Sequence, residues 1–152
     1  MHARLDYYKI APAAIQPMMA MEKYLRECGL DHTLIELVKT RASQINGCAF
    51  CLDMHTSDAR KAGESEIRLY MLSAWHESSR FTEKERAALA WTEALTLISQ
   101  THAPDDVYAE LLKHFSEAEV VNLTLLITTI NAWNRIAIGF RSVPLSEAKA
   151  AG

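Results

Sequence analysis

The sequence predicts an all-α fold, a compact bundle of about six helices in a single domain spanning residues 1–152, and three observations carry that prediction. Five Gly and four Pro in 152 residues leave little room for the many tight turns of a sheet sandwich. Apolar residues recur at helical rather than alternating spacing. Helix start and stop signals follow one another with short connections between them, and no strand pattern survives.

The elements can be taken in order. Pro12 suits a first-turn position and Gly29 a left-handed stop, which brackets a helix over Ala13 to Cys28. Pro17 falls inside it, so the helix either kinks there or begins in earnest there. Met18, Met19 and Met21 read as core filler on this helix. Asp31 can cap a second helix running to about Asn46. Leu34, Leu37, Val38, Ala42 and Ile45 fall on one side of its wheel, with Glu36, Thr40 and Ser43 on the other. Asn46-Gly47 breaks the run, and the helical periodicity of its flanks makes it an interhelical turn rather than a β-hairpin. A third helix runs from about Cys48 to Ala62, with Arg60 and Lys61 at its negative end and Gly63 as the stop. Ser65 opens a short helix through Leu72. Thr82-Glu83-Lys84-Glu85 is a capping box that starts a helix through about Ser99. Pro104 with Asp105 and Asp106 marks another start, and Ser116-Glu117-Ala118-Glu119 repeats the capping box before a long, largely apolar final helix. That helix is either a core helix or one face of a self-association surface. Ser146 to Gly152 are small or polar and are expected to fray.

Composition narrows the function classes. Hydrophobic residues make up 49% of the chain and charged ones 23%, an ordinary globular balance, and the net charge is −3. No basic face suggests nucleic acid or a membrane surface as a partner. The richest apolar stretch, Val120 to Phe140, is broken by Asn122, Asn131, Asn134 and Arg135, so no segment reaches the roughly 18 apolar residues of a spanning helix. The N-terminus lacks a signal pattern, which makes the cytoplasm the expected location. That compartment keeps thiols reduced, so Cys48 and Cys51, three apart, point to catalysis or metal binding rather than a structural staple. A glycine-rich phosphate loop and a nucleophile elbow are both missing, and flavin or nicotinamide binding has no support, so no cofactor is expected.

With Cys48 at the start of the third helix, Cys51 and His55 fall on the same face. A thiol in a helix's first turn feels the positive dipole end and nearby free N–H groups, which favour the thiolate. The two sulfurs can meet in a disulfide after modest adjustment, and an imidazole one turn on can take or return a proton. Glu36 enters by geometry. If the second and third helices fold back at Asn46-Gly47, Glu36 and His55 stand nearly level across the hairpin at roughly 1.5 Å per residue. A carboxylate there could fix the imidazole tautomer and relay through His55 or a water to Cys51. On spacing alone, a solvated helix glutamate is the favoured reading of Glu36.

The array Glu36, eleven residues, Cys48-x-x-Cys51, three residues, His55 resembles the signature of alkylhydroperoxidase D-like proteins, within the wider carboxymuconolactone decarboxylase family. The flanking Arg41-Ala42-Ser43-Gln44-Ile45-Asn46-Gly47 and Ala87-Ala88-Leu89-Ala90-Trp91-Thr92-Glu93-Ala94-Leu95-Thr96 are similar too. The likeness runs from Arg4-Leu5-Asp6-Tyr7-Tyr8 to Asn131-Ala132-Trp133-Asn134-Arg135. The resemblance implies an all-α homo-oligomer, trimer or hexamer, with thiol-dependent peroxidase or disulfide-reductase activity. It carries over Glu36, Cys48, Cys51 and His55 as functional positions. Its implied substrate is a hydroperoxide or disulfide. An external dithiol, such as a lipoyl group or a thioredoxin-like protein, or a small thiol, would restore the site. The helix dipole favours Cys48 as the more acidic thiol, while His55 and the family pattern favour Cys51 as the peroxidatic cysteine with Cys48 resolving. One departure stands out: Phe50 occupies the place of a second His beside the latter cysteine, which removes a possible proton carrier. The decarboxylase branch does not work through a cysteine pair, so decarboxylation is disfavoured.

Two other readings stay open on sequence. Cys48, Cys51 and His55 offer three metal ligands and Glu36 could supply a fourth, although no second Cys-x-x-Cys exists to complete a structural zinc site. A non-catalytic helical oligomer with a vestigial or sensing dithiol is the other. Cys28 reads as a buried thiol without a role. His2, His32, His76, His102 and His114 read as surface or capping residues. Trp75, Trp91 and Trp133 read as packing residues, one of which could wall the thiol pocket.

Overall fold

The computed structural model describes residues 2–150, and every regular element among them is helical. In chain order these are α1 (Tyr7–Ile10), α2 (Pro12–Glu27), α3 (His32–Asn46), α4 (Ala49–Lys61), α5 (Glu66–Met71), a 3₁₀ segment (Leu72–Glu77), α6 (Glu83–Thr96), α7 (Ile98–Thr101), α8 (Asp105–Leu111), α9 (Glu117–Phe140) and α10 (Leu145–Ala150). The expected bundle is therefore present, with more pieces than the roughly six anticipated. The additions α1, α7 and α10 are one to two turns long, too short for apolar periodicity to register.

The helix signals act locally as expected. Asp31 accepts a hydrogen bond from the Leu34 N–H at 3.0 Å, and both capping boxes close at Thr82/Glu85 and Ser116/Glu119. Pro17 lies inside one continuous α2 that starts at Pro12, so it is not the helix start. The helix expected to reach Ser99 ends at Thr96, where Leu97 leaves helical geometry, and a single turn follows before His102 caps it with φ 54°. The C-terminal residues expected to fray form α10 through Ala150, and the Ser146 N–H donates to Asp53 Oδ2 on α4 at 2.9 Å. Ala151 and Gly152 lie outside the described residues.

Packing centres on α3, which lies against α4, α6, α9 and the 3₁₀ segment and meets α2 through the Lys39–Glu22 pair. Its apolar side enters the main core with Leu25, Ala88, Trp91, Leu123 and Leu126. A second cluster joins Leu37 to Leu72, Trp75, Phe81 and Leu89. A third, smaller one gathers Ala42, Cys48, Cys51, Ile130 and Ala137. Enclosure overturns one expectation: Glu36, expected as a solvated helix glutamate, is buried, as are Thr40 and Ser43 on the same polar side. A central helix has no solvent face, so its polar side is where the site is built. Met21 packs on the core as anticipated, but Met19 is exposed. Cys28 is half-buried, with its thiol donating to Leu25 O at 3.2 Å. No helix among the described residues is long and apolar enough to cross a membrane.

Leu126 is fully enclosed on α9. Leu126→Ala is expected to lower unfolding stability by about 3 kcal/mol, from lost transfer energy and the residual cavity. A urea titration with an unshifted slope and an earlier midpoint would register it.

Candidate active site

Gly47 ends α3 in the left-handed region, at φ 67°, where an L side chain would be strained. The Cys48 N–H then reaches back to Ser43 O at 3.0 Å, and the Cys48 carbonyl accepts the first bond of α4 from Leu52 at 2.9 Å. This turn fixes Cys48 as the N-cap of α4 rather than a first-turn residue, with Cys51 in the first turn and His55 one turn further. Both cysteines are free thiols, each 1% exposed.

Cys48 makes no conventional side-chain cap bond, but donors from α4 and α9 act on its sulfur. Its pKa is lowered to about 7, first by the Cys51 thiol directed at it, and further by the Cys51 N–H, the Asn134 amide and the Phe50 N–H, against burial that opposes the charge. The same contact pushes the Cys51 thiol up, with burial and the charge on Cys48 adding to it; Asn134 and Lys39 act the other way. The two sulfurs thus behave as one unit that gives up a first proton readily and keeps the second. Asn134 is itself held in place, since its amide donates to Ser43 Oγ at 3.0 Å and its carbonyl accepts from Asn46 Nδ2 at 2.9 Å.

Cys51 lines a cavity of about 270 Å³ whereas Cys48 stands behind it. Tyr7, Tyr8, Phe50, Met19, Met54 and Trp133 give the cavity an aromatic and thioether wall. Tyr8 and Trp133 stack with centroids 6.4 Å apart. The N-terminal segment is anchored over this wall by Arg4, whose guanidinium donates to Gly139 O at 2.9 Å. The opposite wall is polar. His55 Nδ1 meets Glu36 Oε2 at 2.9 Å, and both side chains are buried. In the tautomer that donates from Nδ1 to the Glu36 carboxylate, Nε2 is the nitrogen that accepts a proton. His32 Nε2 stands 4.0 Å from the other Glu36 oxygen. Lys39 Nζ and Glu22 Oε2 meet at 2.6 Å on the same wall. The Tyr8 phenol has a raised pKa, from burial first, then from Tyr7 and the charges of Cys51 and Glu22.

All four residues singled out on sequence therefore converge: Cys48 with Cys51, and Glu36 with His55. The fold-back at Asn46-Gly47 brings Glu36 to His55 as the hairpin geometry predicts, and Glu36 is not the solvated helix glutamate that spacing alone favours. Trp133 is the tryptophan that walls the pocket, while Trp75 and Trp91 donate to Glu93 at 2.7 Å and Thr124 at 3.0 Å in the packing. His32, expected at the surface, is exposed yet borders the cavity. Sequence reasoning misses Lys39, Glu22 and Asn134. Lys39 shares the Glu36 side of α3 at i+3, and Asn134 reads in the sequence only as a break in an apolar run. Among the described residues no group of three or more His, Cys, Asp or Glu is disposed to hold a metal ion.

Comparison with known proteins agrees with this geometry. The carboxymuconolactone decarboxylase family model matches residues 12–94. The uncharacterized protein YdfG of Bacillus subtilis (strain 168) is 49% identical over 138 residues, covering 91% of this chain and 94% of that protein. A crystal structure from Agrobacterium tumefaciens, of a protein of unknown function named as a candidate antioxidant defence protein AhpD, superposes with a TM-score of 0.92 at 49% identity, covering 94% of this chain and 98% of that one. An uncharacterized peroxidase-related protein from Silicibacter sp. TM1040 shares the fold, with a TM-score of 0.81 at 21% identity over 92% of this chain and 74% of that one. With more than half its length matched, and with Cys51, His55 and Glu36 lining one cavity beside the buried Cys48, the chain belongs to the carboxymuconolactone decarboxylase family as an alkylhydroperoxidase D-like member.

Proposed function

We propose that the protein is a thiol-dependent peroxidase and disulfide oxidoreductase that reduces organic hydroperoxides or passes electrons to a peroxidase partner. The observation that carries this reading is the opening of Cys51 and the His55–Glu36 dyad onto one cavity with Cys48 directly behind. His55 Nε2 takes the Cys51 thiol proton as the sulfur attacks the terminal peroxide oxygen: an S–O bond forms, the O–O bond breaks, and His55 passes that same proton to the departing oxygen. The alcohol leaves and Cys51 is a sulfenic acid. The Cys48 sulfur then displaces its oxygen as water, giving the disulfide, so two electrons from the pair have reduced one hydroperoxide. An external dithiol, lipoyl or thioredoxin-like, restores both thiols by exchange. The aromatic wall suits a bulky organic hydroperoxide better than hydrogen peroxide. In this reading the chain works in the reducing cytoplasm as a homo-oligomer, trimer or hexamer, with exposed Val121 and Ile138 on α9 available for association.

The test is turnover of a bulky organic hydroperoxide with electron donors compared side by side, which is expected to require both Cys48 and Cys51. A simpler consequence concerns pH. Since Cys48 is lowered to about 7, the thiolate fraction of the pair rises as pH increases through that value. Alkylation of the reduced protein by iodoacetamide is expected to accelerate with a midpoint near pH 7; a midpoint at the ordinary thiol value would remove the activated pair.

A further inference from the structure

Lys39 and Glu22 are charged groups in the cavity that play no part in the Glu36–His55 relay. They meet at 2.6 Å, and both are nearly enclosed. Taking two charges out of water is costly, and apolar side chains of similar volume are often as good or better for stability. Stability alone thus gives little reason for the pair, whereas its position gives one. Lys39 stands at i+3 from Glu36 on α3, on the helix side that faces Cys51 and His55. Arg26 from α2 and His32 from α3 also border the cavity, but both are exposed, so among the described lining residues Lys39 is the buried cation. The remaining ionised groups are negative: Glu22 from α2, Glu36 from α3 and Asp58 from α4. From α1 come the neutral phenols Tyr7 and Tyr8, and from α9 the uncharged Trp133 and Ala137.

We propose that Lys39 is a catalytic residue of this site, its ammonium tethered by Glu22 so that it stabilises negative charge first on the Cys51 sulfur and then on the departing peroxide oxygen. This rests on the reading above in which Cys51 attacks. As the S–O bond forms and the O–O bond breaks, an electron pair moves from sulfur to the far oxygen, which becomes an alkoxide until His55 protonates it. An ammonium carries three N–H donors, and Glu22 engages only one side of it. A positive charge fixed beside that path is worth more in a dry cavity than in water. The charge on Lys39 already acts on Cys51 in the favourable direction, against the neighbouring Cys48 and burial. Glu22 both aims the ammonium and offsets part of its charge.

The experiment measures iodoacetamide alkylation of the Cys48–Cys51 pair against pH, with the modified cysteine located by peptide mass spectrometry, together with single-turnover consumption of cumene hydroperoxide. Lys39→Met is expected to move the alkylation midpoint up by about one pH unit and to slow hydroperoxide consumption at least about tenfold even above that midpoint. Lys39→Arg, which keeps the charge, should restore most of both. Glu22→Gln, which keeps the shape and removes the offsetting charge, should move the midpoint down. Opposite shifts in the two variants support the proposal; no shift in either, or shifts in the same direction, overturns it. If Lys39→Met does not fold around an unpaired Glu22, Glu22→Gln decides alone: a lower midpoint supports and an unchanged or higher one overturns. Opposite midpoint shifts in a protein that consumes no hydroperoxide would support the hold of Lys39 on the thiolate and overturn the peroxidase reading instead.

Discussion

Cys51→Ser is expected to end hydroperoxide turnover and to leave no sulfenic acid for a dimedone-type probe to trap. Two features of the pair lead there. Cys51 lines the cavity and Cys48 stands behind it, so a bulky peroxide reaches only the former. The donors around Cys48 make it the more acidic thiol, but acidity is not reactivity: the intrinsic nucleophilicity of a thiolate falls as its pKa falls. The Cys48 sulfur, stabilised by Asn134 and the start of α4, suits the second step, in which it closes the disulfide and returns as a good leaving group on reduction. Cys48→Ser should accordingly still form sulfenic acid at Cys51 once, without closing a disulfide. Mass spectrometry of the trapped adduct separates the cases, and strong trapping at Cys48 in the Cys51→Ser protein would reverse the assignment.

His55→Ala is expected to lower kcat/KM for hydroperoxide by about 10²- to 10³-fold. The imidazole lies one turn after Cys51 on α4 and lines the same cavity, and Phe50 supplies no second. Glu36→Gln keeps the imidazole but replaces the carboxylate that fixes its Nδ1 proton at 2.9 Å. It should cost less, about tenfold. Steady-state rates across pH for both variants check this. An unchanged rate in His55→Ala would remove the proton relay while leaving the dithiol chemistry standing.

Much of this is legible in the sequence because it is local. Asp31, Thr82 and Ser116 announce helix starts through bonds that close within three residues. Cys48, Cys51 and His55 share a short segment whose spacing already dictates one face. Glu36 is reachable because a single tight turn at Asn46-Gly47 makes the α3–α4 hairpin nearly a local structure. What stays hidden depends on neighbours distant in sequence. The burial of Thr40 and Ser43 follows from α3 being enclosed on all sides, which periodicity within α3 cannot report. Asn134 lies 91 residues from its partner Ser43, and only the packing of α9 against α3 turns it from a break in an apolar run into a donor for a thiolate. Lys39 and Glu22 lie on different helices, and nothing in either helix alone says that their charges meet. The short helices α1, α7 and α10 fall below the length at which a pattern can be told from chance.

At the centre of this account, Cys48 and Cys51 alternate between thiols and a disulfide. The most direct test treats the reduced protein with one equivalent of cumene hydroperoxide and maps its cysteines by peptide mass spectrometry. A Cys48–Cys51 disulfide formed in step with the peroxide consumed, with Cys28 still free, is the expected result. Both thiols remaining free while peroxide disappears, or persisting untouched in its presence, would contradict it.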